Sequence, residues 1–134
     1  MTSPLIVVGA GVAAASALRS LRRAGFGGAI HLFDADTERP YDRPPLSKDY
    51  LAGSASEDWL PLRPDDFYRE AGIDLRQGVD VSSIAPKARE LATSGGEVVR
   101  YDRLLLATGA EPVPLAIPGA GQLPVHTLRS LVDC

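Results

Sequence analysis

One cysteine, one methionine, one tryptophan and two histidines are all that these 134 residues hold of those types. Cys134 is terminal, so no disulfide can form within the chain. His31 and His126 stand apart with no cysteine beside them, which removes the ligand clusters that hold a structural metal. Neither sign of charge dominates, and a net charge of -3 argues against a general nucleic-acid binder. No apolar run approaches the roughly 20 residues of a membrane helix. The first residues also lack a basic stretch running into an apolar core, so no secretory leader and no membrane association are expected. A cytoplasmic protein fits this pattern. Internal repeats and a clear linker are missing too, leaving one domain of ordinary size.

Glycine is not scarce, and its placement is informative. Leu5-Ile6-Val7-Val8 is a short continuous apolar run, as expected of a strand covered on both faces. Gly9-Ala10-Gly11-Val12-Ala13-Ala14 follows and opens a stretch of helical periodicity to Ala24. In that context Gly9 suits a tight strand-to-helix turn, and Gly11 leaves room for a phosphate oxygen at the backbone. Ala14 lets the helix lie close on the strand. The free N–H groups and positive end of the helix then suit a pyrophosphate. Arg19, Arg22 and Arg23 read as a solvated face that complements the helix dipole, and Gly25, Gly27 and Gly28 end the helix.

A second strand, Ala29 to Phe33, leads to Asp34-Ala35-Asp36. Asp36 follows the glycine turn at close to the spacing, about 20 residues, where an acid meets a ribose. A carboxylate accepts from both ribose hydroxyls, and Asp36 suits this role better than Asp34. Next comes Arg39-Pro40-Tyr41-Asp42-Arg43-Pro44-Pro45-Leu46-Ser47-Lys48, where prolines favour an extended, stiff wall carrying Arg43 and Lys48. Ser47 is placed to cap a short helix through Leu51, and Trp59 to anchor the polar stretch from Ala52 to Leu62. A short helix is expected from Pro64 to Gly72, strands over 73–76 and 79–82, and a hairpin about Ser94-Gly95-Gly96. Leu104 to Ala110 reads as a strand ending in small residues, which suits close approach of a ligand. Prolines then exclude regular structure to about Val125, and Thr127 is placed to cap a last helix carrying Arg129 in its first turn.

Three motifs in order carry a family likeness: the glycine turn at 9–14, Arg-Pro-Pro-Leu-Ser-Lys at 43–48 and Ala-Thr-Gly-Ala at 107–110. Together they resemble the flavin-dependent ferredoxin reductases that serve aromatic-ring dioxygenases and cytochromes P450. The resemblance implies an α/β fold. It would be an FAD-type, Rossmann-like dinucleotide-binding domain with an added antiparallel β-meander. It further implies that Gly9, Gly11, Val12 and Ala13 line the FAD pyrophosphate. Ala35 and Asp36 would stand at the adenosine ribose, where many relatives carry Asp-Glu. Arg43, Lys48, Val81 and Arg129 match family contacts to FAD, with Lys48 near the flavin ring and Val81 at the adenine. Ala107, Thr108 and Gly109 would lie against the dinucleotide. The implied chemistry is hydride transfer from NADH to FAD, then single-electron transfer to a 2Fe–2S ferredoxin, with no protein nucleophile or acid–base pair.

Such reductases are about three times this length. The resemblance therefore implies that residues 1–134 are the amino-terminal part of an FAD domain, without the NADH-binding and interface domains. The expectation is weak FAD binding alone, no hydride transfer from NADH, and self-association through an incomplete sheet. Two other readings stay open: an NAD-binding Rossmann module of a simple dehydrogenase, and a non-catalytic flavin-fold scaffold.

Overall fold

A computed structural model describes residues 3–134. Its centre is a four-stranded parallel sheet in the order β3-β2-β1-β7. The strands are β1 (Leu5–Val8), β2 (Ile30–Asp34), β3 (Ile73–Gln77) and β7 (Arg103–Leu106). Helix α1 (Val12–Arg23) joins β1 to β2, and helix α2 (Asp65–Glu70) precedes β3. Between β3 and β7 the chain forms a separate antiparallel sheet, β4 (Val81–Ala85), β5 (Glu90–Thr93) and β6 (Val98–Arg100).

The apolar runs of β1 and β2 serve two cores because successive side chains point to opposite faces. Leu5, Val7, Ile30 and Leu32 pack with Ala14 and Leu18 of α1 and with Tyr68 of α2. Ile6 and Phe33 face the other way, against Leu91, Tyr101 and partly buried meander residues. Phe33, Ile6 and Leu18 are fully buried; each contributes about 1.5–3 kcal/mol of apolar burial. His31 lies on the meander side of β2 and pairs with Asp74 at 2.6 Å. Arg76 links Asp74 at 2.8 Å to Glu97 at 2.9 Å, tying β3 to the meander.

Helix α1 ends on a left-handed Gly25 (φ +84), with Gly25 N–H donating to Arg22 and Phe26 N–H to Leu21. This pattern satisfies the last carbonyls. Arg22 differs from the solvated residue expected of it. Its guanidinium donates to the carbonyls of Ala71 (2.6 Å), Gly72 (2.9 Å), Phe26 (2.6 Å) and Gly28 (2.9 Å), clamping the two helix ends together.

Several local expectations are corrected. Pro44–Ser47 form a single 3-10 turn rather than an extended wall, and Ser47 ends that turn instead of capping a helix. The two prolines sit at its first positions, where their fixed φ and missing N–H groups cost nothing. Trp59 is 75% exposed, whereas Leu60 is 2% exposed against Tyr41 and Leu46. The bonds Asp42 N–H to Leu60 and Leu62 N–H to Pro40 set that register and turn Trp59 outward. Strand β4 begins at Val81, not Val79, because Gly78 and Val79 still donate to Asp36 and Asp34 at the end of β2. β7 stops at Leu106, and Ala107 to Ala110 continue as irregular chain. No helix starts at Thr127; a 3-10 turn at Leu131–Asp133 follows Ser130, leaving Arg129 outside it. The Asp133 carboxylate accepts from the Ser130 (2.6 Å) and Arg129 (2.8 Å) amides, which hold its pKa below the usual range.

Candidate functional site

The central strand β1 has β2 on one side and β7 on the other, so the chain leaves it in both directions. Ligands of open α/β sheets bind at the carboxyl ends of strands where the order reverses in this way. Three such ends meet here: Val8 into the glycine turn, Asp34 into Ala35-Asp36, and Leu106 into Ala107-Thr108-Gly109.

Gly9 has φ +92, and a Cβ on it would run into the Ala107 carbonyl and come within 2.9 Å of Thr108 Cα. Only glycine fits there. Gly11 is the opposite case: its φ is -70, and a Cβ would meet nothing within 4 Å. The space beside Gly11 is the open mouth of a cavity. Ala15 N–H makes the first helical bond, to Gly11, so the amides of the opening turn point toward that mouth.

The cavity holds about 630 Å³ and is lined by Gly11, Val12 and Ala13, by Tyr41 to Pro44 with Leu46 and Ser47, and by Ala107, Gly109, Leu128 and Arg129. A smaller cleft of about 70 Å³ extends it past Gly9, Ala10 and Thr108 to Asp34 and Asp36. Arg43 and Arg129 line both spaces, so cations and a helix terminus face the middle of the site while carboxylates close one end. Asp34 is partly buried, and that burial pushes its carboxyl pKa up even though the Asp36 and Ala10 amides favour the charged form. Asp36 accepts from Glu38 N–H at 3.0 Å and from the Tyr41 hydroxyl at 2.9 Å. Four lone-pair sites on a carboxylate leave it further acceptor capacity.

The structure thus gathers Gly9, Gly11, Val12, Ala13, Asp36, Arg43, Ala107, Thr108, Gly109 and Arg129 around one space. Four other candidates do not line it. Ala14 is fully buried beneath the turn, between α1 and the sheet. Ala35 is exposed on the loop after β2, and Lys48 is exposed just beyond the Pro44–Ser47 turn. Val81 packs at the start of β4 on the Ile6 and Phe33 side of the sheet.

Tyr41 was absent from the sequence candidates although it touches the site from three directions. Its ring lies 5.2 Å below the Arg43 guanidinium carbon, and Arg43 Nη1 also donates to the Arg129 carbonyl. Burial is the main reason its phenol pKa is raised. The only sequence signal for Tyr41 is its place between Asp36 and Arg43; its distant partners are not written locally.

A parallel sheet with a glycine turn at its switch point defines a dinucleotide-binding α/β domain. The chain belongs to the pyridine nucleotide-disulphide oxidoreductase family, whose family model matches residues 3–134. It is 39% identical over 128 residues to the 5,5'-dehydrodivanillate O-demethylase ferredoxin reductase subunit of a Sphingobium species, covering 96% of this chain and 31% of that one. It is 40% identical over 133 residues to the biphenyl dioxygenase system ferredoxin–NAD(+) reductase component of Paraburkholderia xenovorans, covering 99% and 32%. The reductase in the crystal structure of the covalent putidaredoxin reductase–putidaredoxin complex matches with a TM-score of 0.89 at 37% identity, over 98% of this chain and 32% of that chain. The chain spans about a third of the length of these relatives.

Proposed function

We propose that residues 1–134 form the amino-terminal part of the FAD-binding domain of an NAD(P)H-dependent flavoprotein oxidoreductase, one that passes electrons to a 2Fe–2S ferredoxin. The observation that carries this reading is the open space at Gly11, set between the α1 amides and the Arg43 and Arg129 guanidiniums. A pyrophosphate is the group that such a cradle suits. The relatives' names supply the electron-transfer context: ferredoxin reductases of oxygenase systems.

In this reading the turn from Gly9 to Ala13 binds the pyrophosphate through its amides, with Ala14 seating the helix from below. Arg43 and Arg129 offset the phosphate charge. Asp36, beside Ala35, accepts from the ribose hydroxyls at the acidic end. Ala107, Thr108 and Gly109 let the dinucleotide approach the end of β7. Val81 and Lys48 lie off the cavity. FAD in this reading extends beyond that space, bringing its adenine to Val81 and its flavin ring toward Lys48, where a cation favours the reduced ring's negative charge. When bound, FAD supplies hydride acceptance and single-electron release; the chain supplies position and charge.

The test is titration of the purified chain with FAD, followed by desalting and a flavin spectrum. Saturable but weak flavin binding is expected in the titration, with little flavin kept through desalting and no bleaching by NADH, because the chain carries one glycine-rich nucleotide turn. Tighter binding of NAD than of FAD would overturn the flavin assignment and favour a nicotinamide dinucleotide module. Bleaching by NADH would overturn the view that this segment lacks hydride transfer by itself.

A further inference from the structure

We infer that Tyr41 is the positioning residue of this site: through one hydroxyl it couples the acidic end, the Arg43 wall and the segment at 129–131, so that cofactor and that segment stabilise each other. The inference rests on the dinucleotide reading above.

A phenol has one proton to donate and two lone pairs to accept with. All three are used. Tyr41 donates to Asp36 Oδ2 at 2.9 Å and accepts from Leu131 N–H at 3.0 Å and from Arg43 Nη1 at 3.4 Å. Tyr41 is only 7% exposed, and Leu131 packs on the cluster it forms with Leu46 and Leu60. Leu128 and Arg129 close the cavity, and Arg43 holds the Arg129 carbonyl. The residues before them, from Glu111 to Leu128, are exposed apart from a half-buried Ala120, so little apolar burial holds this stretch. The closing wall is therefore held at its far end by Tyr41, Arg43, the small Leu131 contact and the Cys134 thiol, which donates to the Leu46 carbonyl at 3.3 Å. A ligand drawing on Arg43 and Arg129 must then favour the docked segment, and a docked segment must favour the ligand by the same factor.

Tyr41→Phe keeps the ring, its packing and its contact with Arg43, and removes only the hydroxyl. Leu131→Pro removes the partner N–H together with the Leu131 side-chain contact, at the first position of a 3-10 turn where proline is tolerated, after an extended Ser130. Both are compared with the parent chain by amide hydrogen exchange and FAD titration. Without FAD, exchange at Leu131 in Tyr41→Phe, and at Arg129 and Ser130 in both variants as undocking loosens their bonds to Asp133, is expected to rise about tenfold, while β1 and β2 keep their protection. With FAD, each variant is expected to bind about tenfold more weakly, and FAD slows exchange at 129–130 in the parent far more than in the variants. A merely structural tyrosine would lower the melting temperature without changing that FAD-dependent protection. Unchanged exchange at 129–130 in both variants would overturn the inference, as would unchanged FAD affinity. If the parent itself binds no FAD, the dinucleotide reading fails and the coupling falls with it, while exchange without FAD separately decides whether Tyr41 holds the segment.

Discussion

Gly9 and Tyr41 line the same cleft and are held by different means. Gly9 N–H donates to the Phe33 carbonyl at 2.8 Å, and Ala107 N–H to Val8 at 2.8 Å, so sheet backbone fixes the inner wall. The outer wall hangs on side chains: the Tyr41 hydroxyl, the Arg43 guanidinium and the small cluster of Tyr41, Leu46 and Leu60. An inner wall built from backbone tolerates most changes of side chain but not an added atom. An outer wall built from side chains fails by deletion.

The sharpest way to break this contrast is Gly9→Ala. A left-handed alanine and a collision with the Ala107 carbonyl should together cost roughly 2–4 kcal/mol of folding stability, with flavin binding lost. Urea denaturation reads this directly; an unchanged midpoint would show that the inner wall yields. Arg43→Ala comes next. It should leave the sheet folded while weakening FAD by roughly tenfold to a hundredfold, the range for a hydrogen bond to a charged group. Equal affinity in a fluorescence titration would remove Arg43 from the outer wall's work.

Gly11→Ala sharpens the contrast from the other side. Gly11 is also the N-cap of α1, where glycine is preferred to alanine; with φ -70 and no neighbour near its added Cβ, stability should fall by no more than about 1 kcal/mol. FAD affinity should nevertheless fall about tenfold, since the methyl takes ligand space. A stability loss as large as that of Gly9→Ala would mean the space is not open. Asp34 gives the smallest effect. Its folded-state pKa is raised above 3.8, chiefly by burial, so its contribution to stability is fully present below the unfolded value. That contribution is lost as pH rises through the folded value. Asp34→Asn should flatten this part of the pH–stability curve; an identical slope in both proteins would place the titration elsewhere.

The inner wall was legible because its causes are local. A four-residue apolar run, two glycines two apart and an alanine-rich helix specify a turn whatever lies beyond them. The acidic loop and the small residues after Leu106 could likewise be read as strand ends. Trp59 and Thr127 misled because local preference was outweighed by register. Loop pairing of Asp42 and Leu62 with Leu60 and Pro40 buries Leu60, and the Asp133 carboxylate gathers the Arg129 and Ser130 amides.

Residue order alone settled that a glycine turn would follow β1 and open a helix, since both depend on torsions and periodicity within a dozen residues. Two covered faces for β1 were implied by its unbroken apolar run, Leu5 to Val8. Tertiary structure decided which candidates share a space: Arg129 joins Arg43 across 86 residues of chain, while Lys48 and Val81 lie off the cavity. It alone revealed Tyr41 as the junction and Arg22 as a clamp. A hydroxyl or guanidinium takes its role from where distant carbonyls and amides come to rest, and the fold sets those positions.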